Sequence, residues 1–204
     1  MLRLILLVFF YVHSAFAENT VVQEVLPATE LIKLLQSGGY IIYMRHSITN
    51  HDQKDTNRSN LEDCRSQRNL SELGRLQARK IGEAVKLLKI PFSDVLSSPY
   101  CRCTETAKLV FDKFRIEPDL QFSISKNSQE SKRLGDHLYS MMLGSKGSTK
   151  NIVFVGHTSN LKDGLGVWPK SEGVMAVFQK RADSLFFQGL IKPEDWADYK
   201  NNRM

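Results

Sequence analysis

The chain has little cysteine. Three residues in 204, Cys64, Cys101 and Cys103, include no Cys-x-x-Cys pair. That spacing argues against a structural zinc site and against thioredoxin-type chemistry. Beyond the N-terminus there is no apolar stretch long enough to span a bilayer. There is no internal repeat and no low-complexity tract. The formal net charge of +6 favours anionic partners, but the basic residues are scattered, with no Lys/Arg run and no aromatics stacked among them. A nucleic-acid surface is therefore not expected. No His, Cys or carboxylate grouping has metal-ligand spacing.

What is present suits one globular domain behind a leader. Hydrophobic residues make up 42% and charged residues 25%, enough to bury a core. Met1-Leu2-Arg3 is a short basic start, Leu4 to Val12 is almost wholly apolar, and Ala15-Phe16-Ala17 has the small-x-small form of a cleavage site. Residues 1–17 read as a secretory signal peptide, with an uncleaved membrane anchor as the alternative. Residues 18–204 then form a single exported domain, periplasmic or secreted, with no stable membrane insertion once the leader is removed. An oxidising compartment allows one disulfide, Cys64 with Cys101 or Cys103, and three unpaired residues is an equal alternative.

Two apolar runs of strand length each end in a histidine: Tyr40-Ile41-Ile42-Tyr43-Met44 runs into Arg45-His46, and Ile152-Val153-Phe154-Val155 runs into Gly156-His157. In an open α/β sheet, ligands bind beyond the carboxyl ends of the strands, so two such ends can bring two imidazoles together. A short helix is expected over Ala28–Gln36, ended by Gly38-Gly39, and an extended lead-in before it. The strongest helix signal spans Leu70–Lys89, with Ser71 as N-cap and Leu73, Leu76, Ile81, Ala84, Val85 and Leu88 on one stripe. Asp94–Ser97 reads as a strand leading into a helix that runs to about Phe114. A strand near Leu120–Ile124, a helix over Gln129–Leu143, a short helix near Asn160–Leu165 and a terminal hairpin (Val174–Gln179 and Ser184–Leu190, turning at Arg181-Ala182-Asp183) complete the reading. Ser47–Asn69 is a long polar segment, and a loop that long in a compact domain is usually functional. Its His51 reads as an exposed loop histidine.

Four motifs stand in order at strand and helix ends: Arg45-His46; Leu70-Ser71-Glu72-Leu73-Gly74-x-x-Gln77-Ala78; Ser97-Ser98-Pro99-x-x-Arg102 with Thr106-Ala107; and Gly156-His157. Together they resemble the histidine phosphatase superfamily, the phosphoglycerate-mutase-like proteins. The likeness is greatest to small exported bacterial members such as lipopolysaccharide-core heptose-phosphate phosphatases. The resemblance implies an α/β three-layer sandwich, a mostly parallel sheet flanked by helices. It also implies a phosphomonoesterase working without cofactor or metal on a small phosphorylated substrate, such as a sugar or envelope-glycan phosphate. His46 becomes the nucleophile, and Arg45, Arg102 and His157 the phosphate pocket, with Arg68 either reaching substrate or forming a rim ion pair. The chemistry agrees. A phosphomonoester carries about two negative charges, a neutral imidazole attacks phosphorus well near pH 7, and guanidinium forks match phosphate oxygens.

Two departures from the family pattern stand out. Ser47 replaces the usual glycine after Arg-His, and Thr158-Ser159-Asn160 follow the second histidine where the acid-phosphatase branch has a carboxylate. The general acid then falls to Glu130, with Glu105, Asp52, Asp55 or Asp63 as alternatives. The lack of an obvious acid leaves room for a phosphohistidine protein phosphatase or a non-catalytic phosphate-binding module. A mutase fits poorly with the leader, because its phosphorylated metabolites are scarce outside the cytoplasm. The oligomeric state is not legible.

Overall fold

A computed structural model describes residues 21–124, 126–145 and 149–201. The expected signal peptide lies outside the described residues. In chain order the elements are β1 (Val21–Gln23), α1 (Ala28–Ser37), β2 (Ile41–Arg45), α2 (Glu72–Leu87), β3 (Phe92–Ser97), α3 (Cys101–Phe111) and β4 (Arg115–Ile116). They continue with α4 (Ser128–Gly144), β5 (Asn151–Gly156), α5 (Thr158–Leu165), β6 (Met175–Arg181), β7 (Ser184–Ile191) and α6 (Pro193–Asn201). The strands form one sheet in the order β1-β7-β6-β2-β5-β3-β4. Pairing is parallel except where β6 runs against β2 and against β7. No described helix is long and apolar enough to cross a membrane.

The alternation of side chains along each central strand splits the core into two layers. Ile42 and Met44 of β2, with Val153 and Val155 of β5, pack under α1, α2, α3 and α6. Ile41 and Tyr43, with Phe154, pack under α4 and α5 through Leu138, Met142, Leu161 and Leu165. The result is the three-layer α/β sandwich expected from the sequence.

Three local expectations are corrected. Leu73 and Leu76 do not face the core, being 61% and 44% exposed. The buried face of α2 runs through Gly74, Ala78, Ile81 and Val85. Gly74 sets that face, since a Cβ there would lie 1.8 Å from the Ile48 carbonyl oxygen. Its immediate neighbour on a helix is turned about 100° away. The strand expected near Leu120–Ile124 is instead Arg115–Ile116, followed by a 3-10 turn at Pro118–Leu120. The hairpin is not terminal: α6 follows it and buries Trp196 and Tyr199. The lead-in is extended as expected, and its Val21–Gln23 pairs as β1 beside β7.

Candidate active site

The sheet register builds the site. In the parallel pair β2 and β5, Arg45 stands opposite Gly156, so the next residue on each strand is a histidine. The His46 and His157 ring centres lie 5.5 Å apart, with the rings inclined at 66°. β3 ends beside them, its Ser97 opposite Val155, and the Ser98 amide donates to the Val155 carbonyl at 2.8 Å. Three adjacent parallel strands thus end at one place.

Each histidine is fixed by groups that can be traced to sequence. The His46 amide donates to the Gly156 carbonyl, and its own carbonyl accepts from the Gly173 amide. His46 Nδ1 lies 2.9 Å from the Ser47 carbonyl oxygen. A carbonyl only accepts, so Nδ1 carries the proton and Nε2 keeps its lone pair. On the other strand, the Tyr43 hydroxyl donates to the His157 carbonyl and accepts from the His157 amide, both at 2.9 Å. That hydroxyl is also why residue 156 is glycine, because a Cβ there would sit 2.3 Å from it. Ser98 Oγ accepts from the Tyr100 amide and lies 3.0 Å from His157 Nε2. The Cys103 thiol, pushed up to about 12 by burial and hence protonated, lies 3.6 Å from the same nitrogen. With donors at Nε2, we assign the His157 proton to Nδ1, which is buried and has no partner.

Burial, first, and the Arg102 charge, second, hold both imidazoles well below the usual histidine value. Both are neutral near pH 7. Arg102 is fully buried. Its fork grips Asp55, at 3.0 Å and 3.4 Å, and it also donates to the Arg68 carbonyl. Its guanidinium lies 4.4 Å from the Tyr100 ring centre. Arg45 donates to the Lys170 carbonyl and faces Glu172. Six buried side-chain polar atoms among the described residues have no partner. Five of them cluster on site residues: Arg45 Nε, Ser47 Oγ, Arg102 Nε, His157 Nδ1 and Thr158 Oγ1. Unpaired buried donors are costly, so such a group marks a place prepared for an anion.

A cleft of about 370 Å³ opens here, lined by Arg45, His46, Arg68, His157 and Thr158 and walled by Phe122, Ile124 and Trp168. Three roomier grooves among the described residues, of about 800, 700 and 590 Å³, are lined by neither His46 nor His157. The structure therefore brings Arg45, His46, Arg68 and His157 to one cleft, while Arg102 is held from it by Asp55.

The expected acids go elsewhere. Glu130 forms a two-pronged pair with Arg133. That hydrogen bonding, first among the causes, lowers its carboxyl from the usual value and keeps it ionised, the wrong state for an acid. Glu105 is taken by Arg75 at 2.7 Å, and Asp55 by Arg102. Asp63 caps a 3-10 turn and pairs with Arg65, which lowers its carboxyl, and Asp52 sits in an exposed turn. Asp163 is the carboxylate that lines the cleft; its Oδ2 accepts from Ser123 Oγ at 2.8 Å. It lies on α5, six residues past His157, where no motif marks it. No motif marks Glu172, Tyr43 or Gln67 as a site residue either. Thr158 had the signal of following His157 directly.

The long polar segment is tied down. Cys64 pairs with Cys101, Cα atoms 5.7 Å apart, and Cys103 stays free and buried. Gln67 accepts from the Cys101 amide and so caps α3 from outside the helix. The α2 motif is scaffolding for the same region: Ser71 caps the helix at the Gly74 amide, and Gln77 accepts from the Ile48 amide and donates to the Glu172 carbonyl. His51 is exposed, as expected, yet its Nε2 lies 3.2 Å from Glu172. One His/carboxylate cluster of metal-ligand spacing occurs among the described residues, Glu117, Asp119 and His137, where Arg133 already holds Asp119.

Comparison with known proteins bears on this geometry. The family model of the histidine phosphatase superfamily (branch 1) matches residues 41–123. Curated protein sequences give no match. Among solved structures, the protein histidine phosphatase SixA complexed with tungstate superposes with a TM-score of 0.52 at 17% identity, covering 76% of this chain and 98% of its own. A phosphoserine phosphatase from Entamoeba histolytica, in complex with phosphoserine, gives 0.56 at 15% identity, covering 76% and 98%. The alpha-ribazole phosphatase from Shigella flexneri gives 0.54 at 17%, covering 76% and 96%. At these identities the structures show a shared fold. The chain resembles the superfamily in sequence over residues 41–123 and in fold over about three quarters of its length.

Proposed function

We propose that this chain, with the histidine phosphatase pattern over residues 41–123, is an exported phosphomonoesterase that works through a phosphohistidine on His46. The observation that carries the reading is the set of five unpartnered buried polar atoms around two neutral imidazoles. A phosphoryl group in the cleft supplies the oxygens that three of them, Arg45 Nε, His157 Nδ1 and Thr158 Oγ1, lack. The Cys64–Cys101 disulfide fits an oxidising compartment, periplasmic or extracellular.

The step follows from the tautomers. His46 Nε2 attacks phosphorus, the bond from phosphorus to the ester oxygen breaks, and Nδ1 keeps its proton. Arg45 Nε, His157 Nδ1–H and Thr158 Oγ1–H are donors for the phosphoryl oxygens, and α5 starts at the same point, where its N-terminal amides favour an anion. Asp163, the carboxyl in the cleft wall, is placed to pass a proton from solvent to the departing alkoxide. Water then cleaves the N–P bond, releasing phosphate and restoring the Nε2 lone pair. A small sugar or envelope-glycan phosphate suits the cleft size and its exposed Trp168 wall.

The test is hydrolysis of p-nitrophenyl phosphate by the secreted form, with and without chelator, wild type against His46→Ala. Chelator-insensitive turnover, lost in the variant, with base-stable phosphate trapped on the wild type, bears the reading out. Turnover that survives His46→Ala overturns it. A second reading, a phosphohistidine protein phosphatase, is favoured by one observation: the cleft carboxyl, Asp163, is solvent-exposed, and an imidazole leaving group needs less acid than an alkoxide. Asp163→Asn separates the two. It slows alkyl phosphates far more than aryl phosphates if the ester is the natural substrate, and it leaves phosphohistidine peptide hydrolysis unchanged if the peptide is.

A further inference from the structure

Glu172 lies just before β6, in a stretch where neither motif nor periodicity marks a functional residue. Its side chain is only 10% exposed, and it is surrounded by site groups. Oε1 accepts from Thr49 Oγ1 at 2.9 Å and lies 3.6 Å from an Arg45 terminal nitrogen and 3.9 Å from His46 Nδ1. Oε2 accepts from the Thr49 amide at 3.4 Å and faces His51 Nε2 at 3.2 Å. Its backbone is fixed too: the Gln77 amide group donates to the Glu172 carbonyl, and the next amide, Gly173, donates to the His46 carbonyl. A carboxylate so enclosed, with four neighbouring groups of which two are catalytic candidates, is part of the site.

Its side of the ring decides its role. Glu172 stands at the Nδ1 edge of His46, while Nε2, on the opposite edge, is the atom free to attack. The leaving group departs in line with Nε2, on the far side of phosphorus, so Glu172 is badly placed to protonate it. Attack turns a neutral imidazole into a cationic ring, substituted at Nε2 and still protonated at Nδ1. The Ser47 carbonyl holds that proton, but it is a neutral partner. We propose that Glu172 is a positioning residue that holds Arg45 and supplies the counter-charge to the His46 ring as it becomes phosphoimidazolium. This rests on the phosphohistidine reading above. The other charged or titratable groups near His46 are Arg45, Arg68, Arg102 with its partner Asp55, the neutral His157 and, across the cleft, Asp163, and His51 stands behind Glu172; Glu172 is the carboxylate set against the Nδ1 edge of the ring.

The experiment compares wild type, Glu172→Gln and Glu172→Asp with p-nitrophenyl phosphate, quenching into base to measure phosphohistidine by mass spectrometry. Glu172→Gln, which keeps shape and loses charge, is expected to lower kcat/KM about tenfold, between the water-screened and protein-screened limits for charges at that separation. The phosphoenzyme it forms is expected to lose phosphate several-fold faster, because the unbalanced cation leaves phosphorus more readily, by the same Coulomb term. The acid limb of kcat/KM moves to lower pH, since removing an anion disfavours the protonated ring. Glu172→Asp keeps the charge and restores the lifetime. Unchanged kcat/KM and lifetime in Glu172→Gln overturn the proposal. So does a fall in kcat/KM with lifetime and acid limb unmoved, the mark of packing alone. A wild type that forms no phosphohistidine brings down the function reading itself, and this proposal with it.

Discussion

Asp55 and Arg102 form a buried ion pair at the edge of the site. Arg102 is 0% exposed at its side chain and Asp55 7%, and the carboxylate takes both prongs of the guanidinium. Replacing Asp55 with alanine leaves a buried cation without its counter-ion, which in such settings costs about 3–5 kcal/mol. Two remaining contacts, the Arg68 carbonyl at 3.3 Å and the Tyr100 ring face, place the expectation at the lower end, about 3 kcal/mol. For a domain of this size that lowers Tm by roughly 6–12 °C. Urea denaturation and calorimetry with the disulfide intact measure it. The double replacement Asp55→Val with Arg102→Met removes both charges and recovers most of the loss, since apolar isosteres of a buried pair are commonly as stable as the pair. The same pair ties stability to function. Asp55 holds the fork that a phosphate would otherwise take, so inorganic phosphate raises the midpoint of Asp55→Ala by more than it raises that of wild type, through binding to the native state alone. A loss under 1 kcal/mol in Asp55→Ala, or an equal phosphate effect in both proteins, refutes the reasoning.

Other consequences can be checked in the same preparations. Because burial and the Arg102 charge depress His46 and His157 below the ordinary histidine value, the unfolded chain binds protons near pH 6 that the native state does not. Stability therefore falls as pH drops through and below about 6.5; urea midpoints at pH 5 and pH 7.5 reveal the slope, and His46→Asn with His157→Asn flattens it. Gly156→Ala drives a methyl into the Tyr43 hydroxyl and is strongly destabilising alone. In a Tyr43→Phe background, which itself costs about 1–3 kcal/mol by unpairing the His157 amide, the added cost is smaller, and a double-mutant cycle reads the coupling. Cys64→Ser opens a disulfide joining residues 37 apart, and on chain entropy it lowers unfolding free energy by about 4 kcal/mol; reduction of wild type gives the same shift, while Cys103→Ser leaves the disulfide intact.

Much of the framework was legible because strand ends and helix caps carry local signals. Two apolar runs ending in histidine announce parallel strands, and register does the rest, since Arg45 opposite Gly156 forces the imidazoles together. Ser71 as a cap was readable for the same reason: its partner, the Gly74 amide, is three residues away. The misreadings have one physical origin. Leu73 and Leu76 have the period of a buried stripe, yet the face of α2 is chosen by a tertiary contact, the approach of the Ile48 carbonyl to Gly74. Periodicity fixes that a helix has two faces and does not fix which one a neighbouring backbone claims.

The acid shows the limit most clearly. Glu130 satisfies chain order, but Arg133, three residues on, lies within helical reach and binds it first. A carboxylate with an arginine at that spacing is spoken for before the rest of the fold is known, so helical spacing alone discounts it as a proton donor. Asp163 and Glu172 carry the opposite lesson. Each reaches the site through contacts 40 or more residues away, Asp163 to Ser123 and Glu172 to Thr49 and His51. Chain order hides such residues, because the sheet and not the chain determines what stands beside a histidine. The two carboxylates also divide by environment: Asp163 stands in the open cleft wall, while Glu172 is enclosed at the back of the nucleophile. One faces the place where a group departs, and the other holds Arg45 and backs the nucleophile.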